Sequence, residues 1–157
     1  MELETIRSMI YEVRGVRVML DFDLARLYQV ENRTLKQAVR RNMDRFPDDF
    51  MLKLAKEEAN RLMLIGISQN VISPGYNPGP GQVFAFTEEG VAMLSAVLRS
   101  HVAVNVSIEI MRVFVEIRNH LAATGRLSVE LAELRARMDL LPEDQPVQRR
   151  RIGYVKD

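Results

Sequence analysis

The densest concentration of side chains able to recognise a ligand lies between Arg26 and Arg45. Six bases stand there (Arg26, Arg33, Lys36, Arg40, Arg41 and Arg45) against two acids, Glu31 and Asp44, in a chain whose net charge is only +1. The rest of the chain therefore carries −3. A basic stripe on a near-neutral molecule is the footprint expected of a surface that meets a polyanion. The same pattern also fits a solvated helix face. The residue types sharpen the choice. Arginine can grip guanine O6 and N7 with two bonds, and glutamine can grip adenine in the same way, which gives Gln37, Arg40 and Arg41 a chemistry. Lys36 and Arg45 suit phosphates, which set register. Asn32, Arg33 and Thr34 stand where the segment begins, and a helix N-terminus there would favour a phosphate.

For those side chains to share a face, the segment must be helical. Thr34 and Gln37 have capping-box spacing, which predicts a helix opening at Thr34. Leu35, Val39, Met43 and Phe46 form its inward stripe. Lys36, Gln37, Arg40, Arg41 and Asp44 fall on the outward side, and Pro47 stops the helix near Arg45. Ahead of it, Leu24, Leu27 and Tyr28 predict a short helix that Asp23 would cap and that ends near Gln29-Val30. Short helix, tight connection and basic helix are the grammar of a helix-turn-helix. There the first helix braces the second against the major groove.

The surrounding elements read as α+β. Ile10 to Val13 and Val16 to Met19 predict a hairpin around Arg14-Gly15. Phe50, Leu52 and Leu54 alternate with polar or flexible neighbours, as in a strand, and Lys56 to Ile65 is helical in pattern. Gly66 to Gln82 holds three prolines and four glycines among Pro74, Gly75, Pro78, Gly79, Pro80 and Gly81 with Gly66. That density predicts a loop, the tip of a long hairpin. Val83 to Phe86 is a strand. Thr87 caps a helix from Glu88 to Arg99, and a longer helix covers Ala103 to Ala123, with Ile110, Phe114, Ile117 and Leu121 on one seam and a break or kink at Gly125.

Beyond Gly125, Leu127, Leu131, Leu134, Met138 and Leu141 follow a heptad. With Leu131 at position a, Glu130 and Arg135 fall at g and the following e, where they could pair between two copies. An amphipathic helix packed on its own domain fits the same spacing. The run predicts a short coiled coil and a homo-oligomer, most simply a dimer.

Catalysis finds little support. The chain has no cysteine, which excludes thiol chemistry, thiolate metal sites and disulfides. His101 and His120 lack the spacing of a helical metal pair. Asp48-Asp49, Glu57-Glu58 and Glu88-Glu89 are adjacent, and neighbours on a helix do not converge on one atom. Helix-start charge accounts for the two glutamate pairs and turn chemistry for the aspartates. A non-enzymatic protein with no cofactor and no metal is expected. With 157 residues, 47% hydrophobic and 27% charged, the composition is that of a globular chain. No apolar run reaches the ~20 residues of a membrane span, and the start is acidic where a secretory signal is basic, so a cytoplasmic location is expected.

Several stretches together resemble one family. Ile10-Tyr11-Glu12-Val13-Arg14-Gly15, Asp23-Leu24-Ala25-Arg26-Leu27-Tyr28 and Leu35-Lys36-Gln37-Ala38-Val39-Arg40-Arg41-Asn42 come first. Arg45-Phe46-Pro47-Asp48-Asp49-Phe50-Met51 and Phe84-Ala85-Phe86-Thr87-Glu88-Glu89-Gly90-Val91-Ala92-Met93-Leu94-Ser95 follow in order. The chain resembles the ORF-six-N domain, a phage and prophage DNA-binding family related to KilA-N and Bro-N. The resemblance covers about residues 10–98 and extends less sharply to 121. It implies an α+β DNA-binding domain, here over 8–123; the heptad spacing adds a helical oligomerisation tail over 126–141, and the composition a basic tail over 142–157. It carries over to single residues only within the helix from Thr34 to Arg45. With the helix-turn-helix reading beside it, a transcriptional regulator is expected that meets double-stranded DNA through Asn32, Arg33, Thr34, Lys36, Gln37, Arg40, Arg41 and Arg45. An antirepressor-like module that binds another phage or host regulator is the alternative. The stretch before Phe84 departs from the family pattern, which is often Gly- and Arg-rich there. Here it carries no basic residue.

Overall fold

The computed structural model describes residues 3–79 and 81–140. Two units emerge, divided between Glu116 and Ile117.

The first unit is built on a four-stranded antiparallel sheet. Helix α1 (Leu3–Ser8) leads into β1 (Ile10–Val13) and β2 (Val16–Leu20). Arg14 and Gly15 join these strands with φ of 54° and 80°, the two positive angles that a twist-matched two-residue turn demands. β3 (Met51–Lys53) and β4 (Phe84–Phe86) complete the sheet in the order β1-β2-β4-β3. Met19 faces Phe86 across one pairing, and Met51 faces Phe86 across the other, so Phe86 sits at the centre and is fully buried.

Alternation along the strands divides the apolar residues between two faces. Tyr11, Val13, Val18, Leu20 and Ala85 pack with Ala59 and Leu62 of α4 (Lys56–Ser68). On the other side Phe86 meets Phe46 edge to face, with ring centroids 5.8 Å apart. Helices α2 (Asp21–Tyr28), α3 (Asn32–Arg41) and α5 (Glu88–Leu98) supply buried Leu24, Leu35, Val39, Val91 and Leu94. Within the unit, α3 packs on α2 and α5.

Several element boundaries correct the sequence reading. The 66–82 stretch is not all loop, because α4 runs on through Gly66 to Ser68. Gly66 survives in that helix because Ile72 and the Tyr11 hydroxyl lie where its Cβ would stand. The helix expected over 56–65 is present and runs three residues further, and the loop follows it before β4. β3 covers only Met51–Lys53, with Met51 buried and Leu52 half-buried. Thr87 does cap α5, its hydroxyl accepting from the Gly90 amide at 3.3 Å. That hydroxyl also donates to the Asp49 carbonyl at 2.8 Å, tying the cap to the turn after Pro47.

The last helix, α6 (His101–Leu140), is not broken at Gly125. In the first unit it buries Ala103, Val106, Ile110, Val113 and Phe114. A single glycine costs a helix only about 1 kcal/mol, which long uninterrupted flanks absorb. In the second unit Leu127, Leu131, Leu134 and Met138 lie along the same helix with 49–61% of their surface exposed. Leu141 and the basic tail of 142–157 lie outside the described residues.

Candidate nucleic-acid interface

The α2–α3 pair sets the geometry of the basic segment. Gln29 adopts φ 61° and its amide, with that of Val30, bonds back to the last carbonyls of α2. This left-handed cap turns the chain within three residues. α3 therefore starts at Asn32, two residues before the predicted opening. Glu31 is the N-cap and makes no side-chain cap bond. The Thr34–Gln37 capping box is thus corrected: Thr34 lies inside the first turn. α2 likewise begins at Asp21, with Leu20 as N-cap, so Asp23 is a first-turn residue and not the cap.

Asn32 is half-buried, and Arg33, Thr34, Gln37, Arg40 and Arg41 are exposed along α3. Arg33 reaches Glu31 at 3.4 Å. Among the described residues Arg40 and Arg41 have no ion-pair partner, so their guanidiniums face solvent with full donor capacity. The helix ends at Arg41 rather than Arg45, because the Asn42 side chain donates to the Ala38 carbonyl at 2.8 Å and its backbone leaves helical angles. Arg45 sits exposed on a single 3-10 turn, Met43–Arg45.

Lys36 is the main correction. It does not point outward with its neighbours but is 7% exposed. Its ammonium lies 3.6 Å from Asp21 Oδ2 and 5.6 Å from the centroid of the Phe84 ring. A helix wedged between two others buries a stripe wider than one row of side chains. Lys36 falls in that widened stripe beside Leu35, and it is tolerated there because a carboxylate and an aromatic face receive it.

Asp21 is the hub of this junction. Its Oδ2 also accepts from the Phe84 amide at 2.9 Å, so one carboxylate joins the start of α2, the middle of α3 and the start of β4. The Phe22 amide and the Asn32 side chain also act on this carboxylate, which turns Asn32 toward the junction. Burial pushes this carboxyl up from its ordinary range, against the pull of the Phe84 amide and of Lys36. Asp23, two residues on, is 1% exposed, and burial pushes it up to about 7. Arg26 Nη2 lies 3.4 Å from its Oδ1, while its Oδ2 has no partner among the described residues.

Sequence reasoning missed this buried polar junction. The signal was present: two acids bracket Phe22 directly after the apolar strand ending at Leu20, a place where uncompensated carboxylates do not go.

Among the described residues no helix is long and apolar enough to cross a membrane. A family model described as the ORF6N domain matches residues 8–97, more than half of the chain. No curated protein and no solved structure matches.

Proposed function

We propose that this chain, which belongs to the phage-type ORF6N domain family, is a non-enzymatic regulator that reads double-stranded DNA with the outer face of α3. The observation that carries this is the row of exposed, unpaired Arg40 and Arg41 with Gln37 and Thr34, on a helix whose other side is buried through Leu35 and Val39 and whose edge is anchored by Lys36. A rigidly held helix with a free basic and amide face is the arrangement of a helix-turn-helix reader. Arg33 and Arg45 flank that face and suit phosphates. Lys36 is spent inside the junction and holds the helix rather than the DNA.

The exposed seam of Leu127, Leu131, Leu134 and Met138 supports a homodimer, with a second copy covering it. Two copies would place two readers on half-sites about one turn apart, ~34 Å. The same seam favours the second reading, an antirepressor-like module that binds another regulator in the cytoplasm.

A salt titration of binding to random and genomic duplex DNA separates the two. For Arg40→Ala/Arg41→Ala the log–log slope falls by roughly 0.9 for each phosphate no longer neutralised, with weaker or less selective binding. Wild-type binding by that variant, or no binding by either protein, puts the protein-interaction reading first.

A further inference from the structure

The uncharged loop between α4 and β4 is pinned along the α2–α3 pair at three points. The Val71 carbonyl accepts from Arg26 at 3.2 Å. Tyr76 packs on Phe22 with ring centroids 5.3 Å apart. Gly81 lies against Lys36, whose ammonium is 3.9 Å from where a Cβ on that glycine would be. The loop is thus a neighbour of α3, not a remote excursion.

Its chemistry is unusual for a surface segment. From Val71 to Phe86 there is no charged residue of either sign. The acids beneath it, Asp21 and Asp23, are buried to 0% and 1% exposure, so they present no carboxylate at the surface. Burial, with the charges of Asp21 and Asp23 behind it, holds the Tyr76 hydroxyl above its ordinary range, so it stays a protonated donor. What the loop offers instead is neutral hydrogen-bonding capacity. Tyr76 is 42% exposed, and its hydroxyl has no hydrogen-bond partner among the described residues. The ring is held by Phe22 while the tip is free, so a contact through the hydroxyl would cost little ordering entropy. Asn77 bends the next turn, its Oδ1 accepting from the Gly79 amide at 2.9 Å.

We infer that this loop is a second DNA-contacting element, with the Tyr76 hydroxyl donating to a backbone phosphate beside the groove that α3 enters. The inference rests on the DNA-binding reading above. Neutral donors supply many protein–DNA phosphate contacts, and they release no counterion. That gives the contact a signature distinct from that of the arginines.

The test is a salt titration of the full chain on a random-sequence duplex, comparing wild type, Tyr76→Phe, Tyr76→Ala and Arg40→Ala/Arg41→Ala. Tyr76→Phe keeps the ring on Phe22 and removes only the hydroxyl, so folding is preserved. It should weaken binding by roughly 2- to 10-fold, the span of one neutral hydrogen bond, with the salt slope unchanged. Tyr76→Ala should weaken it at least as much, again at constant slope. The arginine variant should lower the slope. Both tyrosine variants binding as wild type, while the arginine variant is impaired, would remove the loop from the DNA and leave the α3 reading intact. A reduced slope for Tyr76→Phe would also overturn the proposal, since a neutral donor cannot change the number of counterions released. No effect of any variant, or no binding by wild type, would sink the α3 reading and this one together.

Discussion

The exposed face of α3 and its buried edge carry the same class of residue under opposite conditions. Arg40 and Arg41 stand in water without ion-pair partners among the described residues, while Lys36 is sealed against Asp21 and Phe84 one turn earlier. On the outside, charge costs nothing to keep and contributes nothing to folding. On the inside, two desolvated charges are tolerated only because each has the other. The difference teaches that basic residues in a candidate reading helix divide into those that meet a ligand and those that fix where the helix stands.

Breaking the inner side should produce the largest effect. Asp21→Ala strands the Lys36 ammonium and leaves the Phe84 amide without its acceptor. The expected loss is about 3–5 kcal/mol of unfolding free energy, read by urea denaturation. Asp21→Asn/Lys36→Met removes both charges while the new amide oxygen can still accept from Phe84. It should recover most of that loss. A double variant no better than Asp21→Ala would mean that the ion pair itself, and not the stranded charge, sustains the junction.

That junction also marks where the sequence stopped being informative. The hairpin, the Thr87 cap and the α+β class were legible because turn geometry, capping and alternation are local rules. The outward place of Arg40 and Arg41 was legible too, since a period of 3.6 residues separates them from Leu35 and Val39. Lys36 was not. Its fate depends on a carboxylate fifteen positions earlier and on an aromatic ring far along the chain, and no periodicity encodes either contact. The start of α3 was misplaced for a similar reason: the left-handed turn at Gln29 shortened the connection and pre-empted the Thr34 cap. The continuity of α6 through Gly125 shows the opposite balance, with a strong local signal outweighed by the rest of the helix.

Asp23 sharpens the comparison with a smaller, pH-dependent effect. Its folded value of about 7 lies above the ordinary value of 3.8 because burial disfavours the carboxylate. A group raised in the folded state stabilises fully below its unfolded value, and that contribution is lost as pH rises through its folded value. Stability from this residue should therefore decline between about pH 4 and about pH 7, the opposite of the trend from a salt-bridged carboxylate. Asp23→Asn holds a neutral, nearly isosteric group at the site. It should raise stability at about pH 8 by about 2–4 kcal/mol and change it little at about pH 4, flattening the profile. Parallel profiles for variant and wild type in thermal melts would show that Asp23 is ionised throughout, and that the junction holds more water than its burial indicates. Asp21, raised in the same direction, stays in the variant and leaves a residual slope of the same sign.

The smallest effect on folding belongs to the outer face, and its smallness is the point. Arg40→Ala/Arg41→Ala deletes two exposed side chains with no ion-pair partner among the described residues, and alanine is the better helix former. Unfolding free energy should stay within about 0.5 kcal/mol of wild type, the usual range for surface changes away from caps and networks. Set beside the large loss expected for Asp21→Ala, an unchanged stability here would show that these arginines are retained for something other than the fold. A loss above about 1 kcal/mol would instead place them in an intramolecular network, and the case for a free basic reading face would fall with it.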